Sequence, residues 1–192
     1  KNNQDATLKA SLYKQAELVF DEQIANHPYH ARIWMMKGYY HLQVQEWDSV
    51  IRCQKKAIEL GAGGLVNLIE YDAADMMNSA LVQKVNKLNM DTTAIFSLLD
   101  SCEVSTFDNF KLHWLRGAIY NQVGDFDHGL EYLQRAYNLN TRDFEILYQY
   151  SFALSRNNRI SEAKKHLTSA LEIQPENAAA KNLLQQLNSI QS

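Results

Sequence analysis

The chain has 192 residues and 46% hydrophobic content, enough for one or two ordinary domains or for one elongated array of repeats. Its 19 basic and 22 acidic residues give a net charge of −3, which does not fit the basic surface of a nucleic-acid-binding protein. With only seven glycines and two prolines, the sequence disfavours a fold of many short strands and turns.

The N-terminal residues predict one long helix. Between residues 4 and 25 the apolar residues recur at helical spacing, at Leu8, Leu12, Ala16, Val19, Phe20 and Ile24. The helix should end before Pro28, because a proline disfavours helical geometry in the residue before it. The loop that follows holds His27 and His30, but no further ligand stands near them, so no metal site is predicted.

Residues 31–64 predict a pair of helices. The first carries Trp34 and the small Gly38 on its packing face, and a polar break follows at 45–46. The second helix has apolar residues at helical spacing, namely Val50, Ile51, Ala57 and Leu60. Gly61 just past its end is typical of a helix C-terminus.

The glycines at 61, 63 and 64 predict a bend, and residues 65–75 predict an irregular insertion. A phosphate-binding loop would need a strand before these glycines and a Lys-Ser/Thr pair after them. Neither is present, so a nucleotide site is not predicted.

Residues 76–109 predict a less regular helical pair. Its first helix, at 76–88, has apolar residues at Met76, Met77, Leu81, Val85 and Leu88. Asp91 is a plausible N-cap for a second helix that carries Ile95, Leu98, Leu99 and Cys102, and a turn cluster follows at 105–109. The two cysteines, Cys53 and Cys102, lie on apolar helix faces and predict small buried thiols rather than a disulfide or a metal site.

The C-terminal third predicts two more pairs, at 110–143 and 144–177, with turns at 123–126 and 157–158. Residues 178–192 predict a final helix with Ala180, Leu183, Leu184 and Leu187 on one side and polar residues on the other. Such a helix suits the capping end of an array of repeats.

Equivalent residues of the last two pairs stand 34 apart: Phe110 and Phe144, Tyr120 and Leu154, Leu133 and Leu167, Ala136 and Ala170, Leu139 and Ile173. This helix–turn–helix period resembles the tetratricopeptide repeat. The residues that carry the resemblance are Trp34, Gly38, Ala57 and Leu60; Gly117, Tyr120, Gly124, Phe126, Leu133 and Ala136; and Leu154, Ala163, Leu167, Ala170 and Pro175.

The resemblance implies an all-α solenoid of stacked helical hairpins, with about ten or eleven helices. Residues 1–30 would supply a half repeat, 76–109 a degenerate repeat, and 61–75 a kink before a more regular C-terminal part. Small residues such as Gly38 and Gly117 would let paired helices approach closely, and neighbouring hairpins must stack to bury their apolar faces.

No catalytic constellation stands out. The six histidines are scattered, and no nucleophile elbow, metal-binding helix or nucleotide loop is present. Asp125 and Asp127 sit at a turn, where helix capping explains them. The pairs at 55–56 and 164–165 are interpreted as solvated lysines. We therefore expect a protein that is not an enzyme and binds no cofactor.

The resemblance further implies that the first helix of each hairpin lines a concave groove. The candidate partner-binding residues are Arg32, Met35 and Tyr39; Lys111, Trp114, Ala118 and Asn121; and Tyr148, Phe152 and Ser155. Aromatic residues and Met are enriched at such surfaces. For Trp114 and Tyr148, simple packing between hairpins is the alternative interpretation.

Some members of the family bind acidic chaperone tails through Lys, Asn and Arg. The matching positions here hold Glu145, Gln149, Met35 and Tyr39, and only Lys111 fits, so that partner is not predicted.

The predicted function is a scaffold or adaptor that binds a protein or peptide partner. Three alternatives stay open: an assembly factor or chaperone for a bacterial envelope, secretion or cytochrome-maturation complex; a self-assembling homo-oligomer; and a regulatory module of a larger enzyme. Nucleic acid is not an expected partner, and no run of about 18 apolar residues predicts a membrane span. A start at Lys1 without a leader leaves cytoplasmic and periplasmic locations open, with the cytoplasm as the expectation.

Overall fold

The computed structural model describes residues 2–62, 72–105 and 107–190, and this part of the chain is all-α. Its ten α-helices are α1 (Asn2–Asn26), α2 (Ala31–Gln43), α3 (Trp47–Ala57), α4 (Ala73–Lys87), α5 (Thr92–Ser101), α6 (Phe110–Val123), α7 (Phe126–Leu139), α8 (Phe144–Arg156), α9 (Ile160–Ile173) and α10 (Ala178–Ser189). A π-type turn, Ile58–Ala62, follows α3 and is kinked at Gly61, where φ is +95°. Within the described residues, none of these helices is both long and apolar enough to cross a lipid bilayer.

The chain divides into two compact units, Lys1–Asp108 and Asn109–Ser192. The division follows residue 108, whereas the sequence predicted the discontinuity at 61–75. Of that segment, 63–71 lie outside the described residues, and 72–75 form the N-cap and first turn of α4.

Side-chain caps explain where most helices begin. Six of the ten helices start after an Asp or Asn whose side chain accepts a hydrogen bond from a backbone N–H of the first turn, namely Asp72, Asp91, Asn109, Asp125, Asp143 and Asn177. Each cap satisfies a donor that has no partner inside the helix, and is worth about 1 kcal/mol. The predicted cap at Asp91 is confirmed, with its carboxylate 3.0 Å from the Ala94 nitrogen.

In the first unit, α2 packs against α1 and α3, and α3 against α4. The Tyr40 hydroxyl donates to the Tyr13 carbonyl oxygen at 2.9 Å, and Lys37 forms an ion pair with Asp21. These contacts fix α1 on α2 along one face. On α1 the apolar side chains of Leu8, Leu12, Leu18 and Val19 remain exposed.

In the second unit, consecutive helices pack in pairs from α6 to α10. The apolar core includes Leu133, Leu147, Leu154, Leu167 and Leu183. The polar side of α10 is exposed while Ala180, Leu183 and Leu187 are buried, as predicted for a terminal helix. Both cysteines, Cys53 and Cys102, are buried thiols that form no disulfide, in agreement with the sequence.

Candidate functional site

The candidate residues of the first unit lie on α2, and they differ in how much surface they offer. Arg32 is exposed and Tyr39 is half-buried. Met35 is only 7% exposed, and its carbonyl oxygen accepts a hydrogen bond from the Gln54 amide at 3.0 Å. Met35 therefore belongs mainly to the core of this unit, which leaves Arg32 and Tyr39 as the surface residues.

The candidate residues of the second unit lie on α6 and α8, which pack side by side. The Asn121 side-chain amide on α6 donates to the Gln149 carbonyl oxygen on α8 at 3.1 Å and to its side-chain oxygen at 3.2 Å. Asn121 is 7% exposed, so it acts first as a cross-link between the two helices. We call the surface formed by Lys111, Trp114, Ala118, Asn121, Tyr148, Phe152 and Ser155 the α6–α8 surface.

The aromatic rings of α8 on this surface are held by other rings. Tyr148 stacks on the buried Phe144, with ring centroids 6.1 Å apart and planes only 5° from parallel. Phe152 meets Phe126 edge-on at 6.0 Å, and the Arg156 guanidinium lies 4.8 Å from the centre of the Phe126 ring. Tyr148 and Phe152 are each half-buried, so they combine a fixed position with an uncovered side.

On α6, Lys111, Trp114 and Ala118 are also half-buried. The Trp114 ring packs against the core of the second unit, and its indole N–H is buried without a hydrogen-bond partner among the described residues. Trp114 therefore contributes to packing as well as to the surface. Ser155 donates its hydroxyl to the Phe152 carbonyl oxygen at 2.7 Å, so that hydroxyl is already engaged within α8.

Two acidic residues, Asp143 and Glu145, lie at the start of α8. Burial raises the pKa of Glu145, and the nearby Asp143 carboxylate raises it further. A carboxyl group one turn before Tyr148 disfavours an acidic ligand at this end of the surface. This agrees with the sequence argument against acidic chaperone tails.

A second aromatic cluster, away from the candidate residues, surrounds His166 on α9. The Tyr137 ring lies 4.8 Å from the imidazole and the Tyr150 ring 5.1 Å from it. Burial lowers the pKa of His166 below its ordinary 6.5, and the Lys165 ammonium lowers it further, while the Glu162 carboxylate opposes the shift. The neutral imidazole is therefore the form that this packing favours.

The lowered pKa of His166 predicts a loss of stability in acid. The unfolded chain takes up this proton near pH 6.5, whereas the folded unit takes it up only at lower pH. The stabilisation that the neutral His166 contributes is therefore fully present above about pH 6.5, and it is lost as pH falls through the pKa of His166 in the folded unit. We expect the urea midpoint of the wild type to fall more steeply than that of His166→Phe between about pH 7.5 and about pH 5.5. Parallel curves would contradict this, and His27→Gln, at an exposed histidine, is the control.

The described residues contain no group of three or more His, Cys, Asp or Glu side chains that could hold a metal ion. Gln149 and Phe144 are residues whose roles the sequence argument did not identify. Gln149 lies 28 residues from Asn121, and only packing of α6 against α8 reveals that they meet.

Residues 121–187 match the family model described as tetratricopeptide repeat. Among solved structures, the chain is similar to YrrB, described as a TPR protein with an unusual peptide-binding site, with 20% identity, 90% of this chain and 83% of that chain covered, and a TM-score of 0.58. It is also similar to a structure of MamA AMB-1, with 18% identity and a TM-score of 0.54; the match covers 84% of this chain and 82% of that chain. For a crystal structure of MamA the identity is 15% and the TM-score 0.51, and the match covers 90% of this chain and 94% of that chain. No curated protein matches the sequence. These likenesses confirm the predicted class of stacked helical hairpins.

Proposed function

We propose that the chain is a non-catalytic scaffold that binds a segment of a partner protein, because residues 121–187 match the tetratricopeptide-repeat model and the fold is similar to that of solved TPR structures. The observation that carries the proposal is the pair of supported rings on α8, Tyr148 and Phe152, beside Trp114 on α6. Large rigid rings that are only half covered supply contact area at little conformational cost.

The α6–α8 surface favours an extended or helical segment with apolar anchor residues. The anchors would pack on Tyr148, Phe152 and the methyl group of Ala118. Lys111 at the start of α6 and Glu145 at the start of α8 supply polar contacts at one end. The peptide-binding site stated for YrrB, a structure with the same fold, supports a peptide as the kind of ligand.

On the first unit, Arg32 and Tyr39 offer a smaller candidate surface on α2, which we propose as a separate contact. The alternatives of an assembly factor, a self-assembling oligomer and a regulatory module stay proposals of lower rank. The exposed Leu8, Leu12 and Val19 on α1 are the residues on which self-assembly would most directly depend.

Tyr148→Ala is expected to weaken partner binding about tenfold or more while it lowers stability by about 1 kcal/mol. The reason is that the ring stacks on Phe144 along one side and leaves the other side for the partner. Pull-down from the source organism with wild type and variant, followed by titration of the identified partner's fragments, measures the first effect. Urea denaturation measures the second.

Tyr29→Ala is the matched control, because Tyr29 is 84% exposed in the loop before α2 and lies outside the α6–α8 surface. It should bind like wild type. Trp114→Ala should weaken binding too, with a larger loss of stability because the indole packs on the core. Equal capture by wild type, Tyr148→Ala and Trp114→Ala would contradict the assignment of this surface.

A further inference from the structure

The first unit contains a cavity of about 670 Å³ that the predicted groove does not explain. Its apolar lining comes from Trp34 on α2, Ile51 on α3 and Leu98 on α5. Trp34 is anchored by its indole N–H, which donates to the Pro28 carbonyl oxygen at 2.9 Å. Trp34 and Leu98 are half-buried, so apolar surface stays uncovered inside the cavity. None of Arg32, Met35 and Tyr39 lines it.

The cavity carries a surplus of positive charge. Its lining includes four basic side chains, those of Lys37, Arg52, Lys55 and Lys56, and two carboxylates, those of Asp48 and Glu59, which leaves a net charge of +2. Both carboxylates are already engaged, Asp48 with Lys84 on α4 and Glu59 with Lys56 at 3.2 Å. Lys37 pairs with Asp21. No acidic group of the lining is therefore left to neutralise the remaining cations.

The remaining cations are Arg52 and Lys55, which lie three residues apart on one face of α3. The Arg52 guanidinium donates to the Ser49 hydroxyl oxygen at 3.2 Å, and the Lys55 ammonium donates to the Ser101 carbonyl oxygen at 2.6 Å. Neither has a carboxylate partner among the described residues. Two cations beside uncovered apolar surface form a site for a ligand that combines negative charge with an apolar group.

We propose that this basic cavity binds an acidic segment of a partner protein in which one apolar side chain stands among carboxylates. The apolar side chain packs between Trp34, Ile51 and Leu98, and the flanking carboxylates pair with Arg52 and Lys55. Arg presents a planar fork in which two N–H groups donate to the two oxygens of one carboxylate. The site is separate from the α6–α8 surface and does not depend on it.

The charge pattern favours a peptide over nucleic acid or lipid. A nucleic-acid site needs a series of cations that follows many phosphates, and here two cations are without an acidic partner. Stable attachment to an anionic membrane likewise needs a larger basic cluster, because each cation near the surface contributes only about 1 kcal/mol. The apolar part of the lining, by contrast, is small and suits a single side chain.

The test uses fluorescein-labelled hexapeptides and the full chain in anisotropy titrations at low and high salt. The peptide Glu-Asp-Leu-Glu-Asp-Glu should bind wild type, and its affinity should fall about tenfold with Arg52→Glu, because the substitution turns attraction into repulsion. Added salt should weaken binding to wild type. Arg52 is exposed on α3, so its replacement should leave the fold intact, which circular dichroism verifies.

Arg135→Glu is the matched control, since it makes the same charge change at an exposed arginine on α7. It should retain binding, and so should Tyr148→Ala, which separates this site from the α6–α8 surface. The peptides Gln-Asn-Leu-Gln-Asn-Gln and Glu-Asp-Ser-Glu-Asp-Glu should bind much more weakly than the acidic peptide with leucine.

Several results would overturn the proposal. The first is no binding of the acidic peptide to wild type. The second is an equal loss of peptide affinity with Arg52→Glu and Arg135→Glu. The third is binding of the neutral or the serine-containing peptide as tight as that of the acidic peptide with leucine. Binding of inorganic phosphate or phosphatidylserine vesicles that depends on Arg52, without binding of the acidic peptide, would assign the cavity to a phosphate group instead.

Discussion

Gly117→Leu is expected to unfold the second unit. A Cβ atom at Gly117 would stand 2.5 Å from Leu133 Cγ and 3.1 Å from both the Gly129 oxygen and the Leu133 nitrogen. Two of these three atoms belong to the backbone of α7, so α6 and α7 must separate to make room. Extra methylene groups in a packed core cost about 1–3 kcal/mol, and a leucine adds more than one. The combined cost of the methylene groups that leucine adds approaches the whole stability of a marginally stable small domain, about 5 kcal/mol.

Circular dichroism with urea denaturation measures the effect, and Gly117→Ala should give an intermediate loss of about 1–3 kcal/mol. Gly124→Asn is the control. Gly124 has a φ of +85° and no atom within 4 Å of an added Cβ, and Asn tolerates this backbone region. The Gly124→Asn control should therefore lose little stability. A Gly117→Leu protein as stable as wild type would contradict the close approach of α6 and α7 and the repeat alignment at this position.

The helical pairs were predictable because the same spacing recurs. A step of 34 residues back from Gly129, Leu133 and Ala136 reaches Ile95, Leu99 and Cys102, and each of these is buried. The equivalence is physical, since the second helix of every pair buries the same face against its first helix. The second helix of the weakest repeat therefore follows the period.

The first helix of that repeat departs from the period. The same step from Gly117 reaches Gln83, which is exposed, while Leu81, two residues earlier, is fully buried. The turn after α4 accommodates the shift, because Asn89 and Met90 have φ values of 45° and 65°. A left-handed methionine has no sequence signal, since turn patterns rely on Gly, Asn and Asp at such positions. The helix was predicted at 76–88 and runs from Ala73 to Lys87.

The candidate surfaces were predictable to a similar degree. Position on a first helix was sufficient to single out Tyr148 and Phe152, which the structure leaves half-buried. It was not sufficient for Met35, which is buried. Helical spacing shows which face of the helix a residue lies on, but it does not show how much of that face the neighbouring helices cover. The lysines at 55–56 were interpreted as solvated, yet they line the basic cavity, since the sequence does not show that α5 ends beside α3.

Gln54 is the residue that the sequence argument missed most clearly. It occupies the position of Leu133 and Leu167 in the later repeats, and it is fully buried in the first unit. Its amide nitrogen donates to the Met35 carbonyl oxygen at 3.0 Å and lies 3.3 Å from the Met76 sulfur. A buried amide in place of leucine is stable only while this hydrogen bond is made, because an unpaired buried donor costs about 1–3 kcal/mol.

Gly38→Ala is therefore expected to destabilise the first unit by about 2–6 kcal/mol, the sum of the costs of overpacking and of a broken buried hydrogen bond. An added Cβ would stand 2.2 Å from the Gln54 amide nitrogen and 2.7 Å from its Cδ. The amide must move, and because Gln54 is fully buried it cannot turn toward solvent. Urea denaturation of the whole chain measures the loss.

The double variant Gly38→Ala/Gln54→Ala tests the cause of that loss. Gln54→Ala alone removes the amide and leaves a cavity, whereas in the double variant the new methyl group at residue 38 enters the space that the amide has left. The two substitutions should therefore be less destabilising together than the sum of their separate effects, by about 1–3 kcal/mol. Additive effects would show that the methyl group at residue 38 does not meet Gln54, and that α2 and α3 lie further apart than their geometry indicates.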